Sequence, residues 1–246
     1  MNRHSFWYKA SCILFPERCA VCGEVIVAGE RYCPKCNTPS LRIEEPRCLY
    51  CGSGKKRCIC KRRKNAYDAV VSVFYYTDRV REHFPLFKRR ERYGAAETFA
   101  EEMAKLVREY SWKTDVITYV PSHKNTMEER GFNPARLLAE ALGKELSLPV
   151  EALLQKLYDT KPQKDLSHIA RSGNLLGAFD VISLPQNLHS VLLVDDITTT
   201  GGTLDECAKM LKIYGVEEVY AVTVCATSRN TSPKDSEKPL VKTKKL

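Results

Sequence analysis

The sequence predicts an α/β domain, a parallel sheet flanked by helices, preceded by a small cysteine-rich module. Three observations carry this. From residue 66 onward, short β-branched and aromatic runs alternate with helical patterns, which argues strands joined by crossover helices. Nine of the eleven cysteines lie before residue 61. The stretch Val191–Gly202, "VLLVDDITTTGG", runs four apolar positions into two adjacent carboxylates and a Thr/Gly loop. With 246 residues, 43% of them hydrophobic, the chain can hold one moderate α/β core plus a small module. The expected division is 1–65, 66–227 and a polar, patternless and disordered basic tail, 228–246.

The module comes first. Cys19-x2-Cys22 and Cys33-x2-Cys36, ten residues apart, have the spacing of a tetrahedral all-sulfur zinc site. Gly23 follows Cys22, as a knuckle needs: its backbone turns N–H groups toward sulfur, and glycine tolerates the positive φ. Cys48-x2-Cys51, followed by Gly52, then Cys58-x-Cys60, make a second cluster. Its last pair is one residue short of the usual spacing, which leaves open whether Cys58 and Cys60 both bind metal. So small a unit takes its folding free energy from metal, and four thiolates leave no position for a catalytic water. No apolar run approaches the roughly 18–20 residues of a membrane span. The start "MNRHSFWYKASCILF" has no signal-peptide pattern. The expected location is the cytoplasm, where reduced thiols favour metal over disulfides.

The body reads strand 66–76, helix 95–110 after interruptions at Pro85 and Gly94, strand 114–124, and helix 133–146 with Asn133 as N-cap and Pro134 at its first position. A strand at 150–157, a polar loop at 158–178, a strand at 189–196, a helix at 202–215 closed by Gly215, and a strand at 216–226 follow. Cys207 and Cys225 fall in helix and strand patterns as core residues, and Cys12 stands alone.

The net charge of +9 is confined to one segment. Residues 1–65 carry 14 Lys and Arg against 5 Asp and Glu, while the remainder is balanced. Lys61, Arg62, Arg63 and Lys64 end the densest run. Two readings stand: a solvated face that offsets the negative sulfur clusters, or a footprint for a phosphate backbone, with single-stranded DNA as partner.

The Val191–Gly202 stretch needs its own account. Ligands of open α/β sheets bind beyond the carboxyl ends of the strands. Small loop residues let N–H groups converge on an anion, and the helix that follows adds positive potential. A phosphate beside Asp195 and Asp196 would be repelled unless the acids face something else, and sugar hydroxyls are natural donors to carboxylates. One phosphate and two neighbouring hydroxyls describe a ribose 5-phosphate. The alternative is a polar turn whose acids only cap a helix. Neither a P-loop nor a Gly-x-Gly-x-x-Gly fingerprint occurs.

"VLLVDDITTTGGT" resembles the phosphoribosyl pyrophosphate (PRPP) motif of type I phosphoribosyltransferases. With "FPERCAVCGE", "VPSHKNTMEERGFNPARLLAEAL" and "KPQKDLSHIARSGNLLGAF", the chain from about residue 12 to 226 resembles the ComF family. These are competence-associated proteins with an N-terminal zinc ribbon and a phosphoribosyltransferase-like domain. The resemblance implies a type I phosphoribosyltransferase-like fold, structural zinc, Mg2+ with PRPP, and a role in DNA uptake and natural transformation beside competence-machinery proteins. It implies that Asp195 and Asp196 hold the ribose hydroxyls and that Thr198, Thr199, Thr200, Gly201, Gly202 and Thr203 wrap the 5′-phosphate. His123 and Lys124 would meet the pyrophosphate, loop 158–178 would cover the reacting centre, and Arg130, Gln163 and Arg171 are candidates for catalysis. Ser172-Gly173 departs from the further basic residues the family often has there. Two functions follow: transfer of phosphoribose to an unnamed acceptor, or a non-catalytic scaffold that handles single-stranded DNA.

Overall fold

The computed structural model describes residues 15–43, 46–58, 60, 65–87, 93–123, 128, 131–158 and 177–227. Its centre is a four-stranded parallel sheet. β1 (Ala69–Tyr75) lies at one edge, β6 (Glu218–Ala226) and β5 (Ser190–Thr198) are central, and β2 (Val116–Tyr119) is the other edge. β5 is apolar on both faces, as a strand covered on both sides must be. Leu192 and Val194 face α2 (Tyr93–Glu109) and α3 (Pro134–Leu146), packing with Phe99, Met103, Leu138 and Leu142. Val191 and Leu193 face α4 (Gly202–Ile213), packing with Leu204, Cys207 and Leu211.

The predicted boundaries hold within a few residues. Asn133 caps α3: its Oδ1 accepts from Ala135 N at 2.9 Å, while its Nδ2 donates to Val120 O at 2.9 Å. That second bond ties the helix start to the end of β2. Gly215 sits at φ +104° just past α4, and Cys207 and Cys225 are fully buried core residues. A helix α1 (Asp78–Phe87) fills the segment before α2 and runs two residues past Pro85. Its Phe84 and Phe87 pack on Phe99 at ring-centroid distances of 6.1 and 5.6 Å.

Two expectations need correction. The strand expected at 150–157 is broken in two, and only Val150 meets the parallel sheet, as a single parallel bridge to Ile117 of β2. Residues 149–151 hydrogen-bond beside Ile117, and the chain then forms β3 (Leu154–Lys156), antiparallel to β4 (Phe179–Val181). β4 was hidden because three residues carry too little pattern to register. The pairing pins both ends of the 158–178 segment together, with Leu157 N donating to Ala178 O at 2.9 Å. The second correction is that β5 does not end at its two acids but continues to Thr198, paired with Ala226.

The cysteine module covers the β1 edge. Leu41–Ile43 runs antiparallel to it, with Ile43 N donating to Val73 O and Tyr75 N to Leu41 O, at 3.0 and 2.8 Å. Further along, Val70 N donates to Leu49 O at 2.9 Å and Gly52 bridges Val71. An open strand edge is thereby closed by the module rather than left to another chain. The first half of the module also rests on β1 and α2: Tyr32 packs edge-on to Phe74 of β1 at 5.7 Å, while Arg42 pairs with Glu102 of α2 at 3.1 Å and Arg31 with Glu101.

Candidate functional site

The last four residues of β5 and the first turn of α4 form the site. Asp195 stands opposite Thr223 of β6 and is half-buried; Asp196 is only 9% exposed. The Asp195 carboxylate faces α4, where it adds to the burial that pushes the Cys207 thiol well above its ordinary range. Asp195 Oδ1 accepts from Asp196 N at 2.8 Å, so the first acid is oriented by the backbone of the second. The loop then turns sharply. Gly201, at φ +78°, precedes α4 in the left-handed region without a side-chain cap, and Thr200 Oγ1 accepts from Gly202 N at 3.2 Å. The first N–H groups of a helix have no intrahelical acceptor, which makes this turn fit for an anion. Thr198 Oγ1 is buried with no hydrogen-bond partner among the described residues.

Thr199 is exposed, Thr200, Gly202 and Thr203 are half-buried, and Gly201 is buried. His123 is half-buried in the segment leaving β2, the strand beside β5, and so lies at the same end of the sheet as the acids. Lys124, Arg130, Gln163, Arg171 and the Lys61–Lys64 run lie outside the described residues, as do Cys12 and the 228–246 tail.

Several residues around the loop carried no signal in the sequence. Thr227, beyond β6, holds it from the side: its N–H donates to Thr198 O and its hydroxyl to Thr199 O, both at 3.0 Å. Tyr67 stands behind it, with its hydroxyl donating to Tyr50 O at 2.7 Å. Asp205, in the first turn of α4, accepts from Ala66 N at 2.5 Å. Glu206, buried on α4, accepts from Gly177 N at 2.9 Å and so fixes the base of the 158–178 segment. These contacts join positions 17 to 139 residues apart, beyond the reach of local pattern.

The cysteines gather as two sets of four, Cys19, Cys22, Cys33 and Cys36, and Cys48, Cys51, Cys58 and Cys60. Within each set the sulfurs lie within 4.8 Å of one another. Cys22 Sγ to Cys33 Sγ is 3.6 Å and Cys51 Sγ to Cys58 Sγ is 3.8 Å. A zinc–sulfur bond of about 2.3 Å in a tetrahedron sets sulfurs about 3.8 Å apart, so both sets fit structural zinc. None of the ten described cysteines forms a disulfide. Gly23 and Gly52 sit at φ +75° and +73°, and each donates its N–H to the first cysteine carbonyl of its pair at 2.8 Å. Cys58 and Cys60 converge despite their short spacing, because a 3-10 turn at Lys55–Arg57 delivers Cys58 and Cys60 N donates to Cys58 Sγ at 3.3 Å. The first set is the more buried. There burial pushes the Cys36 thiol up, opposed by Arg79, whose Nε donates to Cys36 Sγ at 3.2 Å.

A parallel sheet with two acids and a glycine-turned loop at the carboxyl end of a central strand, capped at its edge by two four-sulfur knuckles, defines a class: open-sheet α/β proteins with an appended double metal ribbon. The comparisons agree. The phosphoribosyl transferase domain family matches residues 97–246, and a double zinc ribbon domain matches residues 10–65. The chain belongs to the phosphoribosyl transferase family, in the ComF-type combination with an N-terminal double zinc ribbon. It is similar to Competence protein F of Haemophilus influenzae, 29% identical over 83% of this chain and 95% of that one. It is also similar to DNA utilization protein YhgH of Salmonella typhimurium, 29% identical over 85% and 90% of the two chains. Competence protein ComFC of Bacillus subtilis is 28% identical over 74% and 78%. No helix among the described residues is long and apolar enough to cross a membrane.

Proposed function

We propose that the protein binds PRPP with Mg2+ at the β5–α4 loop, acts in DNA uptake and natural transformation, in line with the words competence and DNA utilization in its relatives' names, and transfers phosphoribose to an acceptor. The observation that supports this most is the pairing of Asp195 and Asp196 with the Gly201 turn at the start of α4. Asp195 and Asp196 accept the ribose 2′- and 3′-hydroxyls. Thr198, Thr199, Thr200, Gly201, Gly202 and Thr203 surround the 5′-phosphate, and the buried Thr198 hydroxyl is one donor in want of an acceptor. His123 and Lys124 take the pyrophosphate. Mg2+ bound with PRPP would supply positive charge against the pyrophosphate leaving group that His123 and Lys124 take. Arg130, Gln163 and Arg171 are assigned to the reacting centre from their sequence positions. Zinc held by Cys19, Cys22, Cys33 and Cys36, and by Cys48, Cys51, Cys58 and Cys60, is structural. The working division is 1–65 for the ribbon module, 66–227 for the transferase-like domain and 228–246 for a tail.

A second reading keeps PRPP binding without turnover and gives the protein a grip on single-stranded DNA. Its support is the confinement of the positive excess to residues 1–65, together with the exposed Lys55 and Lys56 beside the second sulfur set. Calorimetric titration with PRPP and Mg2+, followed by a pyrophosphate-release screen against bases, amines and DNA, separates the readings. Release supports the transferase, binding without release supports the scaffold, and no binding overturns both.

A further inference from the structure

We propose that Tyr67 is a positioning residue for the phosphate loop, and that the second sulfur cluster sets where it stands. This rests on the ribose-phosphate reading of the β5–α4 loop. Tyr67 is buried at 4% exposure and lies directly behind Gly201. A Cβ on Gly201 would meet the Tyr67 hydroxyl oxygen at 2.6 Å, closer than real Cβ atoms come to a neighbour. The phenol therefore fills the space a side chain at 201 would need and presses on the turn where φ is +78°. The hydroxyl is fixed in turn. It donates to Tyr50 O at 2.7 Å, and Tyr50 lies inside the Cys48–Cys51 turn. That turn closes through Cys51 N and Gly52 N, which donate to Cys48 O at 3.2 and 2.8 Å. A second tether runs beside it, from Ala66 N to Asp205 Oδ1, and Asp205 N donates to Gly201 O at 2.8 Å. A short chain of contacts thus leads from the cysteine turn, through one carbonyl and one phenol, to the back of the loop.

The consequence is a link between metal occupancy and anion binding. With zinc on Cys48, Cys51, Cys58 and Cys60, the Tyr50 carbonyl is held and Tyr67 backs the loop. Without it the carbonyl is free to move and the loop loses its support. The second set is the one where this matters, because its Cys60 is exposed whereas three of the four sulfur residues of the first set are buried.

The test is a set of variants titrated calorimetrically with PRPP and Mg2+, with zinc content and melting temperature measured on each. Tyr67→Phe removes one buried hydrogen bond and is expected to weaken binding about fivefold while both zinc ions stay bound. Cys60→Ser is expected to lose the second zinc and weaken binding in the parent, with little further loss in the Tyr67→Phe background. Gly201→Ala is expected to cost less, in affinity and in melting temperature, when Tyr67 is already Phe, because the 2.6 Å clash is with the hydroxyl oxygen and the next ring atom is at 3.6 Å. Parent-like affinity in Tyr67→Phe overturns the proposal. So does a Cys60→Ser effect of equal size in both backgrounds. If the parent itself does not bind PRPP, the ribose-phosphate reading falls, and the melting-temperature coupling of Gly201 to Tyr67 decides the contact by itself: additive losses overturn it.

Discussion

Replacing both acids, Asp195→Asn with Asp196→Asn, tests the ribose clamp most directly. Charge-assisted hydrogen bonds from sugar hydroxyls contribute about 1.5–3 kcal/mol each, against about 1 kcal/mol for neutral ones. Two such bonds lost or reduced to neutral ones amount to about 3 kcal/mol, on the order of a 100-fold loss of affinity. The structure favours the upper part of that range at residue 196, which is 9% exposed and so less screened by water than an acid at an open strand end. It also says why the fold should survive. Asp195 Oδ1 accepts from Asp196 N at 2.8 Å, and an asparagine keeps an oxygen there to accept the same bond. Removing two adjacent negative charges relieves repulsion in the ligand-free protein, so the melting temperature should hold or rise. The assay is calorimetric titration with PRPP and Mg2+, alongside a thermal melt. A well-folded double variant that binds PRPP as tightly as the parent would refute the clamp and remove the main support for the transferase reading.

Further outcomes follow from other contacts. Elemental analysis of natively purified protein should find about two zinc per chain, and a folded module without zinc would contradict the ribbon assignment. Gly201→Val should weaken PRPP binding and lower the melting temperature, at a cost of about 1–3 kcal/mol for a β-branched residue held at positive φ; the crowding falls on the Tyr67 hydroxyl behind the loop. Asp115 is held below the ordinary carboxylate range first by the Ser190 backbone N–H, then by the Ser190 hydroxyl and His189 N–H. Its contribution is complete above the ordinary aspartate range and lost as pH falls through its lowered value, so the stability gap between parent and Asp115→Asn should close on acidification; a gap independent of pH would refute this. Replacing Lys61, Arg62, Arg63 and Lys64 by alanine should flatten the salt dependence of single-stranded DNA binding, and an unchanged slope would count against that surface.

Much of the architecture was legible because it rests on local signals. Asn133 before Pro134 marks a helix start in any context, and the apolar run Val191–Val194 belongs to a strand buried on both faces. Paired Cys-x-x-Cys spacing is a geometric statement about sulfur reach, so the first cluster could be read residue by residue, while convergence of Cys58 and Cys60 needed the turn before them. β4 escaped notice because its three residues gain their strand character only from pairing with β3.

By itself, then, the sequence determined the alternation of strands and helices, the two sulfur clusters, and the acids and small residues of the loop, because each depends on residues near one another in the chain. Only the tertiary structure decided what surrounds them. It laid the ribbon module along the β1 edge, carried β5 two residues beyond its acids, and placed Tyr67, Asp205 and Thr227 about the loop. The physical reason is that a hydroxyl–carbonyl bond or an edge pairing forms between whichever groups the packed core brings within about 3 Å, and no periodicity along the chain encodes that distance.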